Sequence, residues 1–370
     1  MNVYKKFVFG VLFLNFTVLA PFIVLLWVYD PAMFFHKPFF RALSFKERLH
    51  ERYIIDHYDF DSLILGTSML QNTDPKEAEA KLGGKWVNLS INGAHFSDRN
   101  VIFNYALKHK NIQRVLSSLD AFALIDPLEA SLSSQIFGSF KDNMAFYLHK
   151  HFIFCALIYS TEEKCVGKTK RRIENFNNWI EGFEDNAIRF GGLENWFKGK
   201  YPSKDDIELL KNANDDFKNQ VRKFDLKKQE DFINKELFSY IKAYPHIQFE
   251  LIVPSYHKAF YKATKLENHL AKYQQMIKFI VNETSKYQNA KVYGFDDLAY
   301  GDDIRNYKDL GHYNVDMNSM QLEAIRDQKH ILTPQNIDEY LAKFEEKVIN
   351  YDLKPLKEII KKYEQENKKS

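Results

Sequence analysis

Phe7 to Val28 is a run of 22 residues without a charge, and no other stretch constrains this chain as much. At about 1.5 Å of rise per residue, a helix of that length crosses a hydrocarbon core about 30 Å thick. Lys5 and Lys6 precede the run and Asp30 follows it, so the positive-inside tendency leaves the short N-terminus in the cytoplasm. Trp27 and Tyr29 suit the far interface, and Pro21 is tolerated at bilayer depth. The competing reading is a cleaved signal peptide. Such peptides carry an apolar region of about 7–15 residues ending at small residues. Here the run is longer and Trp27-Val28-Tyr29-Asp30-Pro31 closes it, so an uncleaved anchor is expected. Under either reading the chain beyond residue 30 is exported. The expectation is a single-pass protein of the inner (cytoplasmic) membrane with an extracytoplasmic, or periplasmic, C-terminal domain.

The rest of the chain has the composition of a globular protein: 45% of the 370 residues are hydrophobic and 27% charged, which argues against wholesale disorder. A mean hydropathy of −0.43 excludes a polytopic membrane protein. Lys and Arg total 52 against 49 Asp and Glu, and a net charge of +3 is no footprint for nucleic acid. Two cysteines exclude a disulfide-stapled scaffold and a four-cysteine zinc site. Export leaves two fates open for Cys155 and Cys165, a disulfide or two separate thiols. His149 and His151 flank Lys150 with no further ligand nearby, so no metal site is expected. No cofactor motif is present either: Glu162-Glu-Lys-Cys-Val-Gly-Lys-Thr lacks the first glycine of a phosphate loop, because Glu162 stands in its place. The basic run Lys168 to Arg172 reads as a solvated face.

The pattern divides the chain into a cytoplasmic N-terminus (1–6), a transmembrane anchor (7–28), an aromatic and basic juxtamembrane segment (29–58), a main domain (59–333) and a charged helical tail (334–370). Within the main domain, apolar runs at Leu63–Leu65, Trp86–Ile91, Arg114–Leu119, His246–Val253 and Ala290–Gly294 read as strands. Helical patterns at Lys76–Leu82, Asp98–His109, Gln229–Ala243 and His257–Lys286 alternate with them, and Asp74-Pro75 supplies a start signal for the first. Such alternation implies an α/β fold, a parallel sheet covered by helices on both faces. Residues 127–230, rich in Asn, Lys, Phe and Trp, read as a helical insertion.

Three stations carry chemistry, and open parallel sheets place ligand sites at strand ends of this kind. Gly66-Thr67-Ser68-Met69 follows the first strand, where a turn presents a serine Oγ outward and aims local N–H groups at an anionic oxygen. Asn92-Gly93 follows the second strand, and the glycine lets a backbone amide approach a substrate. In Asp309-Leu-Gly-His312 a carboxylate and an imidazole sit three residues apart. There the Asp can hold Nδ1–H and leave Nε2 free as a general base. Pro254-Ser255-Tyr256-His257 follows the fourth strand, and Tyr256 and His257 are candidates for lining a substrate groove.

Together these stations resemble the SGNH, or GDSL-type, esterases and acyltransferases, over roughly residues 59–330. Within that family the chain is similar to the membrane-anchored branch that O-acetylates envelope polysaccharides. The resemblance implies a three-layer α/β/α sheet domain in which Ser68 is the nucleophile, His312 the base and Asp309 its orienter. It implies an oxyanion hole from the amides of Ser68 and Gly93, with Asn92 a further donor. The chain departs from the family at the third block, where Ser117-Ser118-Leu119-Asp120 replaces Gly-x-Asn-Asp, and an ionised Asp120 cannot donate to an oxyanion. The function implied is acyl transfer through an acyl-Ser68 intermediate to a cell-envelope polysaccharide. A multi-span membrane O-acyltransferase is the partner that goes with it. A carbohydrate acetylesterase of the same fold is the first alternative, and a non-catalytic envelope scaffold or glycan-binding protein the second.

Overall fold

The computed structural model describes all residues except 1–2, 31–32, 34, 37–42, 45–46, 129–147, 149, 159, 161, 163–167, 170–171, 173, 181–183, 199–201, 216, 219–222, 265–267 and 368–370. In chain order its elements are α1 (Val3–Tyr29), β1 (Leu43–Ser44), α2 (Glu47–His57), β2 (Ser62–Ile64), α3 (Pro75–Leu82), β3 (Trp86–Asn88), α4 (Phe96–His109), β4 (Arg114–Ser118) and α5 (Ala121–Ile125). There follow α6 (Lys150–Leu157), β5 (Lys168–Thr169), α7 (Glu184–Ala187), α8 (Lys204–Asn212), α9 (Lys227–Ile233), α10 (Ser239–Ala243) and β6 (Gln248–Val253). The last are α11 (Lys258–Ala263), α12 (His269–Thr284), β7 (Ala290–Gly294), α13 (Val315–Asp327), β8 (Ile331–Leu332), α14 (Ile337–Asn350) and α15 (Lys354–Asn367). The chain forms two compact units, Met1–Tyr58 with Leu132–Phe176, and Asp59–Ser131 with Asn177–Ser370.

The first unit is built on α1, a helix of 27 residues that is long and apolar enough to cross a membrane and continues through Pro21. Its C-terminal end is tied down locally. Asp30 Oδ2 accepts the amides of Phe35 and His36 at 2.9 and 3.2 Å. The Tyr29 hydroxyl donates to the Ser160 carbonyl at 2.8 Å, just beyond α6, which packs on α1. Strands β1 and β5 pair antiparallel, a small ribbon that no apolar run announces in the sequence. Cys155 is buried in α6. Cys165 and His149 lie outside the described residues.

The second unit holds a six-stranded sheet in the order β3-β2-β4-β6-β7-β8, parallel except for β8, which pairs antiparallel with β7. Every residue of β2 and β3 is buried, as are all but the first of β4 and of β6. Successive strand residues point to opposite faces, so burial at each position requires helices on both faces. Strand order reverses about β2: the chain steps outward to β3, then crosses back to β4. Loops leaving the ends of β2 and β4 therefore diverge and open a crevice, where ligands bind in sheets of this class.

Local chemistry accounts for several boundaries. The Asp74 side chain accepts the Lys76 amide at 2.8 Å and Pro75 opens α3. The long helix expected over His257–Lys286 is two helices, α11 and α12. Asn268 interrupts the pattern in left-handed conformation (φ 56°), which asparagine adopts at low cost. The antiparallel edge strand β8 was not among the expected strands, because two residues leave no period to read. The expected insertion is divided, with Leu132–Phe176 in the first unit and the segment from Asn177 onward in the second.

Candidate active site

The loop after β2 is shaped by the absence of a side chain at Gly66. A Cβ there would lie 2.7 Å from Ser118 Oγ and 2.8 Å from Leu70 Cδ1, so only glycine lets the chain turn this tightly. The Gly66 amide donates to Ser90 Oγ at 3.0 Å, and Gly66 O accepts the Ile91 amide at 3.1 Å. These bonds set the loop after β3 beside the loop after β2. The turn presents Ser68, whose Oγ lies 2.7 Å from His312 Nε2.

His312 Nδ1 in turn lies 2.8 Å from both Asp309 oxygens. Asp309 holds its own loop as well, accepting the amides of Gly311 and His312 at 3.0 and 2.7 Å, the local turn that Asp favours. Tyr307 and Tyr313 bridge across the base of this loop, and Asn314 caps α13 through the Val315 amide. With the carboxylate at Nδ1, the imidazole proton sits there and Nε2 is left to accept from the Ser68 hydroxyl. Burial by itself would raise the Asp309 carboxyl. The His312 ring, Lys308 (Nζ to Oδ2, 3.1 Å) and the hydrogen bonds overcome it and hold Asp309 well below the usual carboxylate range.

Gly93 adopts φ +64° at the exposed Asn92-Gly93 turn, with open space where a Cβ would stand. Among the described residues the N–H groups of Ser68 and Gly93 have no hydrogen-bond partner, nor has the Asn92 side chain. Asp120, which the sequence showed only as an unsuitable donor, is a buried acceptor. It takes the Thr67 hydroxyl at 2.6 Å, the Ser118 hydroxyl at 2.6 Å and Arg99 Nη2 at 2.5 Å.

The groove assignment of Tyr256 and His257 does not hold. His257 is fully enclosed: its Nδ1 caps α11 by accepting the Ala259 amide at 3.2 Å, and its Nε2 meets the Tyr351 hydroxyl at 3.1 Å. Burial, then the Lys258 charge, presses that ring down to about 3, so it is neutral in the fold. Tyr256 is 6% exposed, stacks on Phe260 and takes the Ala121 amide at 3.4 Å. A Cβ on Gly311 would lie 3.6 Å from the Tyr256 ring, so Tyr256 supports the Asp309–His312 loop from beneath. The tail supplies the partner that encloses His257, and a strand-end position gave no sign of that.

Four further residues shape the site. Trp179, from the insertion, donates its indole N–H to Ser68 O at 2.8 Å and sets its ring edge-on to His312 at 5.5 Å. Asn72, four residues past Ser68, accepts the Trp179 and Ile180 amides and so docks this segment onto the loop after β2. Lys308 lies 4.5 Å over the Trp179 ring while bonding Asp309. Half-buried Asp206 is pushed up to about 7 by burial and by the charge of Asp309, with Lys308 opposing. Lys308 was readable as the neighbour of Asp309; Trp179 and Asp206 sit in the insertion, and no motif there marked either. Among the described residues no cluster of His, Cys, Asp and Glu could hold a metal ion.

No family model matches the chain, and no curated protein matches it. Among solved structures it is similar to a Streptococcus pneumonia protein described provisionally as a platelet activating factor. That likeness has a TM-score of 0.38 and 10% identity, over 76% of this chain and 90% of the other.

Proposed function

We propose that the protein is a serine acyl-transfer enzyme of the SGNH type, carried on a membrane anchor and acting outside the cytoplasm. The observation that carries this reading is the continuous hydrogen-bonded chain from Ser68 Oγ through His312 to Asp309. His312 Nε2 removes the Ser68 proton as Oγ attacks the acyl carbonyl carbon. The N–H groups of Ser68 and Gly93, with the Asn92 side chain, are the donors proposed for the tetrahedral oxyanion. The imidazolium returns its proton to the departing alcohol, leaving acyl-Ser68. An incoming hydroxyl then loses its proton to His312 and takes the acyl group, and Ser68 Oγ recovers its proton.

The acceptor proposed is a sugar hydroxyl of a cell-envelope polysaccharide, with acetyl as the group moved. The anchor supports this choice because it keeps the site beside the membrane, where acyl groups made inside the cell must emerge. A multi-span O-acyltransferase that delivers them is the partner this reading requires. The second reading is a carbohydrate acetylesterase, favoured by one observation: the His312 side chain is 28% exposed, so water can reach the base. Fluorophosphonate labelling tests the shared chemistry, since the probe should modify Ser68 and Ser68→Ala should abolish the signal. An accessible, folded and unlabelled Ser68 overturns it. Envelope acetylation separates the readings, falling in a Ser68→Ala strain for a transferase and rising for an esterase.

A further inference from the structure

Arg99 is fully buried in α4, and the sequence motifs assign it nothing. All three of its nitrogens are spent on the loop that leaves β3, the end of β4 and the residue Asp120 just beyond it. Nε and Nη2 donate to Ala94 O at 3.2 and 3.1 Å, one residue past Gly93. Nη1 donates to Ser118 O at 2.5 Å and to Ser117 Oγ at 3.3 Å. Nη2 also pairs with Asp120 Oδ2 at 2.5 Å. From Asp120 the path runs to the loop after β2, because Asp120 Oδ1 takes the Thr67 hydroxyl and Thr67 Oγ1 accepts the Met69 amide at 3.2 Å. Ser118 Oγ, itself bonded to Asp120, accepts the Thr67 amide at 3.4 Å.

Two of the three amides in Thr67-Ser68-Met69 are thus tied into one network, and the Ser68 N–H is the one left without a partner among the described residues. A buried ion pair is a weak source of stability when its desolvation is counted, yet removing one partner costs several kcal/mol. The directions of the bonds matter more here. They bind the carbonyls and hydroxyls of the three strand-end loops to each other, as a bidentate fork held in fixed geometry does.

We propose that Arg99, Asp120 and Thr67 form a positioning relay that holds the Ser68 turn and the Gly93 turn in register. The proposal rests on Ser68 being the nucleophile. It makes these three residues positioning residues, since none touches the reacting atoms. Thr67 is the place to test it. Thr67→Val keeps the shape and leaves the Arg99–Asp120 pair intact, but it removes both the donor to Asp120 and the acceptor for the Met69 amide.

In full-length protein, Thr67→Val should label with fluorophosphonate about 10–100-fold more slowly at saturation, the cost of a misplaced nucleophile, with the probe's binding constant unchanged. Thr67→Ser should restore the rate, because it restores the hydroxyl. Labelling of folded Thr67→Val at the wild-type rate overturns the relay, as does a loss matched by the fraction unfolded. Hydrogen exchange across residues 66–71 separates this from failure of the enzyme reading. If wild type does not label, the nucleophile assignment falls. Even then, faster exchange of the residue-67 and Leu70 amides in Thr67→Val, whose acceptors the substitution leaves in place, supports the relay, and unchanged exchange there overturns it.

Discussion

The indole N–H of Trp179 donates to the carbonyl oxygen of Ser68 at 2.8 Å. A side chain from the insertion therefore fixes the peptide that carries the candidate nucleophile, while its ring meets His312 edge-on. Trp179 stands to both members of the Ser68–His312 pair as a wall. Its backbone is held by Asn72, from the same stretch that presents Ser68. The insertion is part of the site.

Asp309→Asn should keep the loop, because an amide oxygen can still accept the Gly311 and His312 amides. It should also favour the wrong tautomer of His312. We expect Ser68 labelling and turnover to fall by about two to four orders of magnitude with little change in thermal midpoint. A variant within about threefold of wild type would show that Asp309 orients nothing.

Gly66→Ala and Gly93→Ala should fail differently. The first forces a methyl group to 2.7 Å from Ser118 Oγ, into the network around Asp120, and should destabilise the fold by about 1–3 kcal/mol. The second has room for its methyl but sits at φ +64°, costing about 1 kcal/mol while disturbing a proposed oxyanion donor. Thermal melts and labelling rates on both variants check this: Gly66→Ala should lose stability first, and Gly93→Ala rate first.

Asp206 gives a pH signature. It is pushed up to about 7 by burial and by Asp309, with Asp205 adding to the push and Lys308 and Arg189 opposing it. Between the ordinary carboxylate range and pH 7 the folded protein binds a proton that the unfolded chain has released. Stability from this group therefore falls as pH rises from about 4 to about 7. Asp206→Asn should melt higher than wild type above pH 7, and the difference should vanish toward pH 4. A gap that widens on acidification would contradict the assignment.

The N-terminal helix predicts how the protein fractionates. Full-length protein should stay with membranes through alkaline extraction and come off only in detergent, and its N-terminus should begin before Phe7. A mature chain beginning near residue 30 would identify the helix as a cleaved signal instead.

What could be read in advance was whatever the chain encodes locally. Asp309 and His312 lie one turn apart, so their pairing is visible as a spacing, and Asp74-Pro75 announces α3 within two residues. The strands of the sheet show as apolar runs because both their faces are covered. Arg99 looks like any charge in the first turn of a helix until β4 brings Asp120 against it, from 21 positions away. His257 reads as exposed at a strand end until the tail delivers Tyr351, 94 positions on, to enclose it. Trp179 has no period around it, and its role comes from Ser68, 111 positions earlier. Long-range closure, invisible to any window, decided each of these.

The hydrogen bond between Ser68 and His312 spans 244 positions. During synthesis the serine emerges early and its base arrives only after most of the chain has been made. Nascent chains, and fragments that break off before residue 312, carry the hydroxyl without the group that would activate it. On the proposed acyl-transfer reading, reactivity toward acyl groups requires the chain through His312, and a product clipped before that residue lacks the base.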